Sequence, residues 1–501
     1  MAHDNDDEPP LVLDGTLLAK GDVGYEEARC RNFAQNAHHV GNDNNNNYPS
    51  YVAIVKSIED VQKCIQYASR RGLKVTVRSG GHNWFGCYLR QGVFLLDVSL
   101  LNKCDVNADE RTATVGPACD GDVLNAAASQ HGNLCFPSGH CVGVPLGGFL
   151  LGGGLGWYFP RYGYAAEHIL QVTLVDAQGN LVVANDQNEE DWMWLARGSA
   201  SMFPGVVVEF KVLLHPKPTL IRSRTSFFPV DRYPLIVRKF HEHATGAGGN
   251  YSDKLELTLN LASTPPPLAE AAGIKDPKLV MVIETWMAES EDEFQQLTKR
   301  FWGDMAMDGD LASLALLPLS SLGYEEFDSF QGLSKMLAPA FPPGQHWICR
   351  ALMYDSSAID LTTQSSSAGS DIDLDAVTKT FVEEAPLGLS HAMLAWCPKR
   401  QTTKPGCYGK YCSKGFVVLV LGVHDGKGDQ GQQAQQYVDS MMKVLDDDDN
   451  NNERVWKYDA LEHPLNRDTF HKSFDGKETR EKLLQLREEV DPERLFFDPC
   501  S

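Results

Sequence analysis

Glycine crowds one stretch of this chain, Phe136-Pro-Ser-Gly-His-Cys-Val-Gly-Val-Pro-Leu-Gly-Gly-Phe-Leu-Leu-Gly-Gly-Gly-Leu-Gly156, around a single cysteine, Cys141. Glycine costs about 0.5–1 kcal/mol relative to alanine inside a regular element, so a run of it is expected only where backbone must turn sharply or lie against a ligand. Gly139, Gly143, Gly147, Gly148, Gly152, Gly153, Gly154 and Gly156 therefore mark a segment shaped around something bound. Gly152-Gly-Gly-Leu-Gly156 is loosely like the phosphate loop of a dinucleotide fold, but that loop follows the first strand of a βαβ unit. Here a long stretch of chain precedes it and a cysteine sits inside it, which argues against a plain dinucleotide fold.

Composition narrows the partner. Lys+Arg 45 against Asp+Glu 67 gives a net charge of −22, which disfavours nucleic acid or an anionic membrane; a small, neutral or weakly charged ligand and a monomeric protein are expected. No segment approaches the roughly 18 uninterrupted apolar residues of a membrane span. The first ten residues have neither a basic n-region nor an apolar run, so the chain as given is expected to be cytoplasmic or to lack a leader. Its 12 cysteines show no paired CxxC motifs, so no metal is expected; a bridge such as Cys407 with Cys412 stays open.

Read in order, residues 1–47 form a mobile tail and loop ending in the polar tract Asn42–Asn47. Ser57-Ile-Glu-Asp60 has capping-box spacing and opens a helix that Gly72 stops. Lys74–Arg78 is a strand running into Ser79-Gly-Gly-His-Asn83, so a histidine arrives on a double-glycine turn. Further strands fall at Phe94–Val98, Thr112–Val115, Leu170–Val175 and Leu181–Ala184, with a helix over Asp122–His131. Pro216-Lys-Pro218 marks a boundary. Beyond it Leu255-Glu-Leu-Thr-Leu-Asn-Leu261 alternates strictly, and Leu279–Trp286, Ala392–Trp396 and Phe416–His424 read as companion strands of one antiparallel sheet. Its polar face either lines a site or meets solvent. Gly369–Asp375, Gln401–Lys410 and Asp446–Asn452 read as loops. The charged helix Glu478–Val490 and Asp491-Pro-Glu-Arg-Leu-Phe-Phe497 are expected to return to the first domain.

The order of motifs, Arg78-Ser-Gly-Gly-His-Asn83, then Phe136-Pro-Ser-Gly-His-Cys141 with its glycine run, then Arg197-Gly, then a terminal Asp-Pro-x-x-Leu-Phe, resembles the berberine bridge enzyme-like branch of the vanillyl-alcohol oxidase superfamily of FAD-linked oxidases. The likeness is dense over Tyr48–Pro218 and loose over the last sixty residues. It implies an α+β, two-domain fold: a PCMH-type FAD-binding domain at 48–218, an antiparallel-sheet substrate domain covered by helices at 219–455, and a return segment at 456–501 packing on the first.

It also implies FAD held covalently through His82, at the flavin 8α-methyl group, and Cys141, at its C6. Imidazole and thiolate are the side-chain nucleophiles most available near neutral pH, which suits that role. The implied cofactor contacts are Arg78, Ser79, Gly80, Gly81, Asn83, Gly86, Pro137, Gly139, Gly143, Val144, Gly147, Gly148, Gly152, Gly153, Gly154 and Val207, with backbone N–H groups of both glycine turns cradling the pyrophosphate. The chain departs from the family at Pro145, where a glycine is usual, and at Arg197-Gly-Ser-Ala-Ser-Met-Phe-Pro-Gly205. Tyr458, in Val455-Trp-Lys-Tyr-Asp459, matches the position of the family's frequent catalytic base, and Glu256, Glu284, His391, Trp396 and His424 are the substrate-side candidates. The implied activity is hydride transfer from an alcohol, sugar hemiacetal or benzylic carbon to flavin and on to O2, giving H2O2. A dehydrogenase or oxidative cyclase that reacts poorly with O2, or a flavin-binding protein without catalysis, are the alternatives.

Overall fold

The computed structural model describes residues 10–34, 47–245, 252–306, 315–317, 322–355, 372–408, 411–445, 455–457, 474 and 476–499. Two sheets build the first domain. In the first, β1 (Thr16–Ala19) runs antiparallel to β2 (Tyr51–Ile54), and β3 (Val75–Arg78) and β4 (Phe94–Asp97) extend it in parallel, in the order β1-β2-β4-β3. The parallel pairing needs a crossover, supplied by the helix Ile58–Arg70, whose N-cap Ser57 Oγ accepts from Asp60 N at 3.1 Å. The Asp60 carboxylate does not complete a capping box; it accepts from the N–H groups of Asp14, Gly15 and Lys56.

That bond corrects the reading of residues 1–47 as a tail. Residues 10–34 belong to the domain: β1 pairs with β2, and the helix Tyr25–Arg29 buries Tyr25 and Ala28. The acidic start hid this, because the anchors, Asp60 and Arg78, are distant in sequence. Asn42–Asn46 lie outside the described residues.

The second sheet is antiparallel, with β5 (Cys104–Asn107), β6 (Thr112–Val115), β8 (Ile169–Val175), β9 (Leu181–Asn185) and β10 (Val206–Leu213) in the order β5-β6-β10-β8-β9. A small pair, β7 (Leu134–Cys135) with β11 (His215–Pro216), sits at the boundary marked by Pro216-Lys-Pro218.

The second domain is one eight-stranded antiparallel sheet: β12 (Leu220–Pro229), β13 (Leu255–Ser263), β14 (Lys278–Ala288), β15 (Glu325–Phe327), β16 (His346–Asp355), β17 (His391–Gln401), β18 (Tyr411–His424) and β19 (Val455–Lys457), ordered β15-β12-β14-β13-β17-β18-β16-β19. The strict alternation of β13 has a direct structural reading. Leu255, Leu257, Leu259 and Leu261 are buried in a core that includes side chains of the helices Tyr233–Thr245, Glu291–Ala306, Leu374–Glu384 and Gln430–Leu445. The other face turns to the first domain rather than to solvent, and Trp347, Cys349, Val417 and Leu419 share a core with Phe136, Leu146 and Leu150. As expected, the C-terminal segment returns: Val75 N donates to Leu495 O, Phe497 N donates to Val75 O (each 2.9 Å), and Asp491 holds the N–H groups of Leu495 and Phe496. Among the described residues no helix is long and apolar enough to cross a membrane.

Candidate functional site

Strand β3 delivers the first turn. At its end Arg78 is wholly buried, its guanidinium on Asp97 (Nε at 2.8 Å) and on the carbonyls of Arg29 and Ala28. Burial alone would raise the Asp97 pKa, but the Arg78 and Arg31 charges outweigh it and hold the carboxyl low. Arg78 thus fastens the N-terminal segment under the turn with its guanidinium donors, while the residue still lines the cavity. Gly81 has φ 75°, and a β-carbon there would meet Arg31 O at 2.6 Å. The Asn83 side chain accepts from the N–H groups of Phe85 and Cys87, an Asx turn that sets the chain's exit. His82 is left facing a cavity, its ring stacked on Phe33 at 4.1 Å and its buried Nε2 without a hydrogen-bond partner among the described residues. Burial lowers its pKa to about 4, so the imidazole is neutral.

Asn125 positions the second turn, accepting from Phe136 N (2.8 Å) and donating to Phe136 O and Ser138 Oγ. Past Cys141 the chain folds back through Gly143, φ 75°, whose N–H donates to Asp122 Oδ2 at 3.2 Å. Burial, with Asp122 adding to it, pushes the Cys141 thiol up to about 12. The side chain is therefore a thiol here, not the ready thiolate expected.

Pro145 then caps a short helix, Leu146–Leu151. Within and around that helix Leu146 N donates to Cys119 O, Gly147 N to Pro117 O, Gly152 N to Gly148 O and Gly153 N to Leu150 O. These donors serve the fold, so the expectation that both glycine turns offer N–H groups to a pyrophosphate does not hold for Gly143, Gly147, Gly152 and Gly153. Gly153 and Gly154, φ 93° and 78°, instead let Tyr164, Phe149 and Ala165 pack closely.

The cavity, about 670 Å³, runs from these turns to the inner face of the large sheet. Of the expected cofactor contacts, Arg78, Ser79, Gly81, Asn83, Gly139, Val144, Gly147, Gly148 and Val207 reach its wall. Gly80, Gly86, Pro137, Gly143, Gly152, Gly153 and Gly154 do not line it. Glu256 and His391 face it from β13 and β17. The Glu256 carboxylate accepts from Tyr158 N and Phe159 N and meets His140 Nε2 at 3.2 Å, tying the sheet to the residue beside Cys141.

Other candidates are displaced. Glu284 is on the helix-covered face of β14, where Arg224, Trp286, Trp302 and Tyr324 saturate it. Trp396 packs with His241 and Phe416 under the helices but also lines the cavity. His424 stacks on His346 at 4.7 Å, away from the cavity wall. Tyr458 and the side chain of Cys412 lie outside the described residues. Sequence reading missed Phe33, inside the supposed tail, and His140, visible in the Phe-Pro-Ser-Gly-His-Cys motif but passed over.

Comparison with known proteins agrees with this geometry. Residues 49–185 match the FAD binding domain family. The chain is 35% identical over 196 residues to the FAD-linked oxidoreductase pynB of Aspergillus niger, covering 39% of this chain and 36% of that protein. It is 32% identical over 210 residues to the (R)-6-hydroxynicotine oxidase of Paenarthrobacter nicotinovorans, covering 42% and 43%. These matches span less than half of the relatives' length. In fold the chain is similar to a solved structure of berberine bridge enzyme-like protein 1 of Physcomitrella patens, with a TM-score of 0.73 at 17% identity over 97% of this chain and 96% of that one.

Proposed function

We propose that this chain, which belongs to the berberine bridge enzyme-like FAD-linked oxidoreductases, binds FAD along the cavity, joined to His82 and Cys141, and oxidises a carbon bearing a hydroxyl or amine. The observation that carries this reading is the single cavity that brings His82 and Cys141 opposite the polar residues of β13 and β17. The residues present fit the cofactor: a buried imidazole nitrogen without a partner, a thiol on the same wall, and Gly148, beside which a β-carbon would meet nothing within 4 Å. Held by these residues, FAD would supply the hydride-accepting chemistry, with O2 as the final electron acceptor in the oxidase reading.

The chain's own part is placement. His82 is kept neutral by burial and its ring is stacked on Phe33, and an imidazole lone pair is what attachment to the 8α position would use. The Glu256 carboxylate fixes the spacing between the sheet and the His140-Cys141 segment. Packing of both domains around the cavity keeps bulk water from the reacting carbon, and a polar side chain on the sheet must take the hydroxyl or amine proton. The alcohol, hemiacetal or benzylic classes all meet this scheme.

Anaerobic mixing of purified yellow protein with a substrate panel, followed by admission of O2, tests it. Flavin bleaching by substrate and peroxide on reoxidation are expected; bleaching by dithionite alone would remove the enzymatic reading.

A further inference from the structure

Within the substrate half of the cavity, polar side chains are mostly already committed. Glu256 is held by His140 and two backbone N–H groups. Asn260 directs its amide N–H groups to Thr258 Oγ1 and Met281 O, and Thr285 Oγ1 shares a hydrogen bond with Ser223 Oγ. Between them lie Met281, Ile283, Met393 and Leu419, with Thr225 and Thr258 as further polar residues of this wall. A saccharide ring carries a hydroxyl on most carbons, and each one buried without a partner costs roughly 1–3 kcal/mol. This wall disfavours such a ligand.

His391 differs from its neighbours. Its Nδ1 donates to Leu389 O at 2.7 Å, which fixes the tautomer and leaves Nε2 with its lone pair on a residue of the cavity wall. Burial lowers its pKa, so the ring is a neutral acceptor at pH 7. A chain of aromatic contacts connects it to the flavin-facing turn: Phe341 lies 5.6 Å from His391, Trp84 lies 6.3 Å from Phe341, and His82 lies 6.2 Å from Trp84.

We propose that the site takes a largely apolar, aromatic or alicyclic substrate with one reacting hydroxyl or amine, and that His391 Nε2 accepts the proton of that group. The inference rests on the reading of the site as an FAD oxidoreductase. The step balances: the substrate C–H leaves as hydride to the flavin, the O–H or N–H proton goes to Nε2, and the C–O or C–N bond becomes a double bond. The electron pair passes on to O2.

The test is anaerobic flavin reduction of the holoenzyme by cinnamyl alcohol, perillyl alcohol and benzylamine set against glucose, cellobiose and xylobiose. The apolar set is expected to reduce the flavin at least 100-fold more efficiently. His391→Ala should lower the reduction rate by about 10²–10⁴-fold, the usual contribution of a positioned base, with flavin content and affinity for benzyl methyl ether retained and with partial rescue by added imidazole. Saccharides reducing the flavin as fast would overturn the substrate class while leaving the oxidoreductase reading intact. Reduction by neither set, with dithionite still effective, would remove that reading and this one with it. A His391→Ala rate within a few-fold of the parent, or the large loss appearing instead in Tyr458→Phe, would overturn the assignment of the base.

Discussion

Pro145 closes over Gly80: a β-carbon on Gly80 would stand 2.1 Å from Pro145 Cγ. The ring that removes a backbone donor from the second glycine turn is thus the surface against which the first turn is seated. Pro145 also bridges to Asp120 and caps the Leu146–Leu151 helix, so it cannot withdraw without moving the Cys141 side of the cavity. Gly80→Ala is expected to destabilise the protein by about 1–3 kcal/mol through overpacking and to reduce flavin loading. Pro145→Gly should relieve much of that loss when combined with it, giving a non-additive double-mutant cycle in thermal unfolding. Additive effects would mean that the two turns do not bear on each other.

The proposed covalent links make a second, independent expectation. If the flavin is joined to both His82 and Cys141, protein precipitated in acid should retain its yellow colour. His82→Ala or Cys141→Ala alone should leave the flavin attached through the other residue, and the double variant should release it, as read by the mass of the flavin peptide. The Cys141 bond should form more slowly on reconstitution, since its thiol is held up to about 12 while His82 is already neutral. Complete release from either single variant would leave one link only.

What could be read from the sequence was whatever depended on local pattern. The period-two run of β13, the Ser57 cap and the turn between β8 and β9 all follow from neighbouring residues, and the motif order located His82 and Cys141 on one cavity. What could not be read depended on partners far along the chain. That the Arg78 guanidinium is held by Asp97 and by the carbonyls of Ala28 and Arg29 could not be seen from its neighbours in the chain. Glu284 and Glu256 sit on neighbouring strands with similar sequence credentials. Their register pairs Glu284 with Leu257, one residue along from Glu256, and that offset places them on opposite faces of the sheet.

Acid should find a weak point at the domain boundary. His215 Nε2 lies 3.1 Å from His168 Nδ1, His168 Nε2 reaches Tyr162 O, and the Tyr162 ring stacks on His215 at 4.0 Å. Burial, and then the Arg111 and Arg161 charges, lower the His215 pKa to about 4. The unfolded chain, with an ordinary histidine, binds the proton first as pH falls. This contribution is therefore present in full above about pH 6.5, is lost progressively down to about pH 4, and is bounded at about 3 kcal/mol. Urea unfolding midpoints measured from pH 7.5 to 4 should decline in that window, and His215→Gln should flatten the decline. An unchanged pH dependence in the variant would place the acid-sensitive group elsewhere.

Oxygen reactivity is expected to depend on Val144. Its carbonyl accepts from Gly121 N at 3.1 Å, the next residue is the proline wedged on Gly80, and a β-carbon on Gly139 would lie 3.5 Å from the Val144 side chain. The backbone is held on both sides, so a methylene added here cannot be relieved by a shift of the turn and must project into the cavity that Val144 lines. The resemblance implies that Val144 would stand beside the flavin C4a, where valine would leave room for O2 and a bulkier side chain would not. Val144→Ile is expected to slow reoxidation of the reduced flavin by O2 at least ten-fold while leaving reduction by substrate within a few-fold, both read by stopped-flow absorbance. Equal slowing of the two half-reactions would show that Val144 only packs. Reoxidation already negligible in the parent protein would make it a dehydrogenase, with the electron pair leaving to an acceptor other than O2.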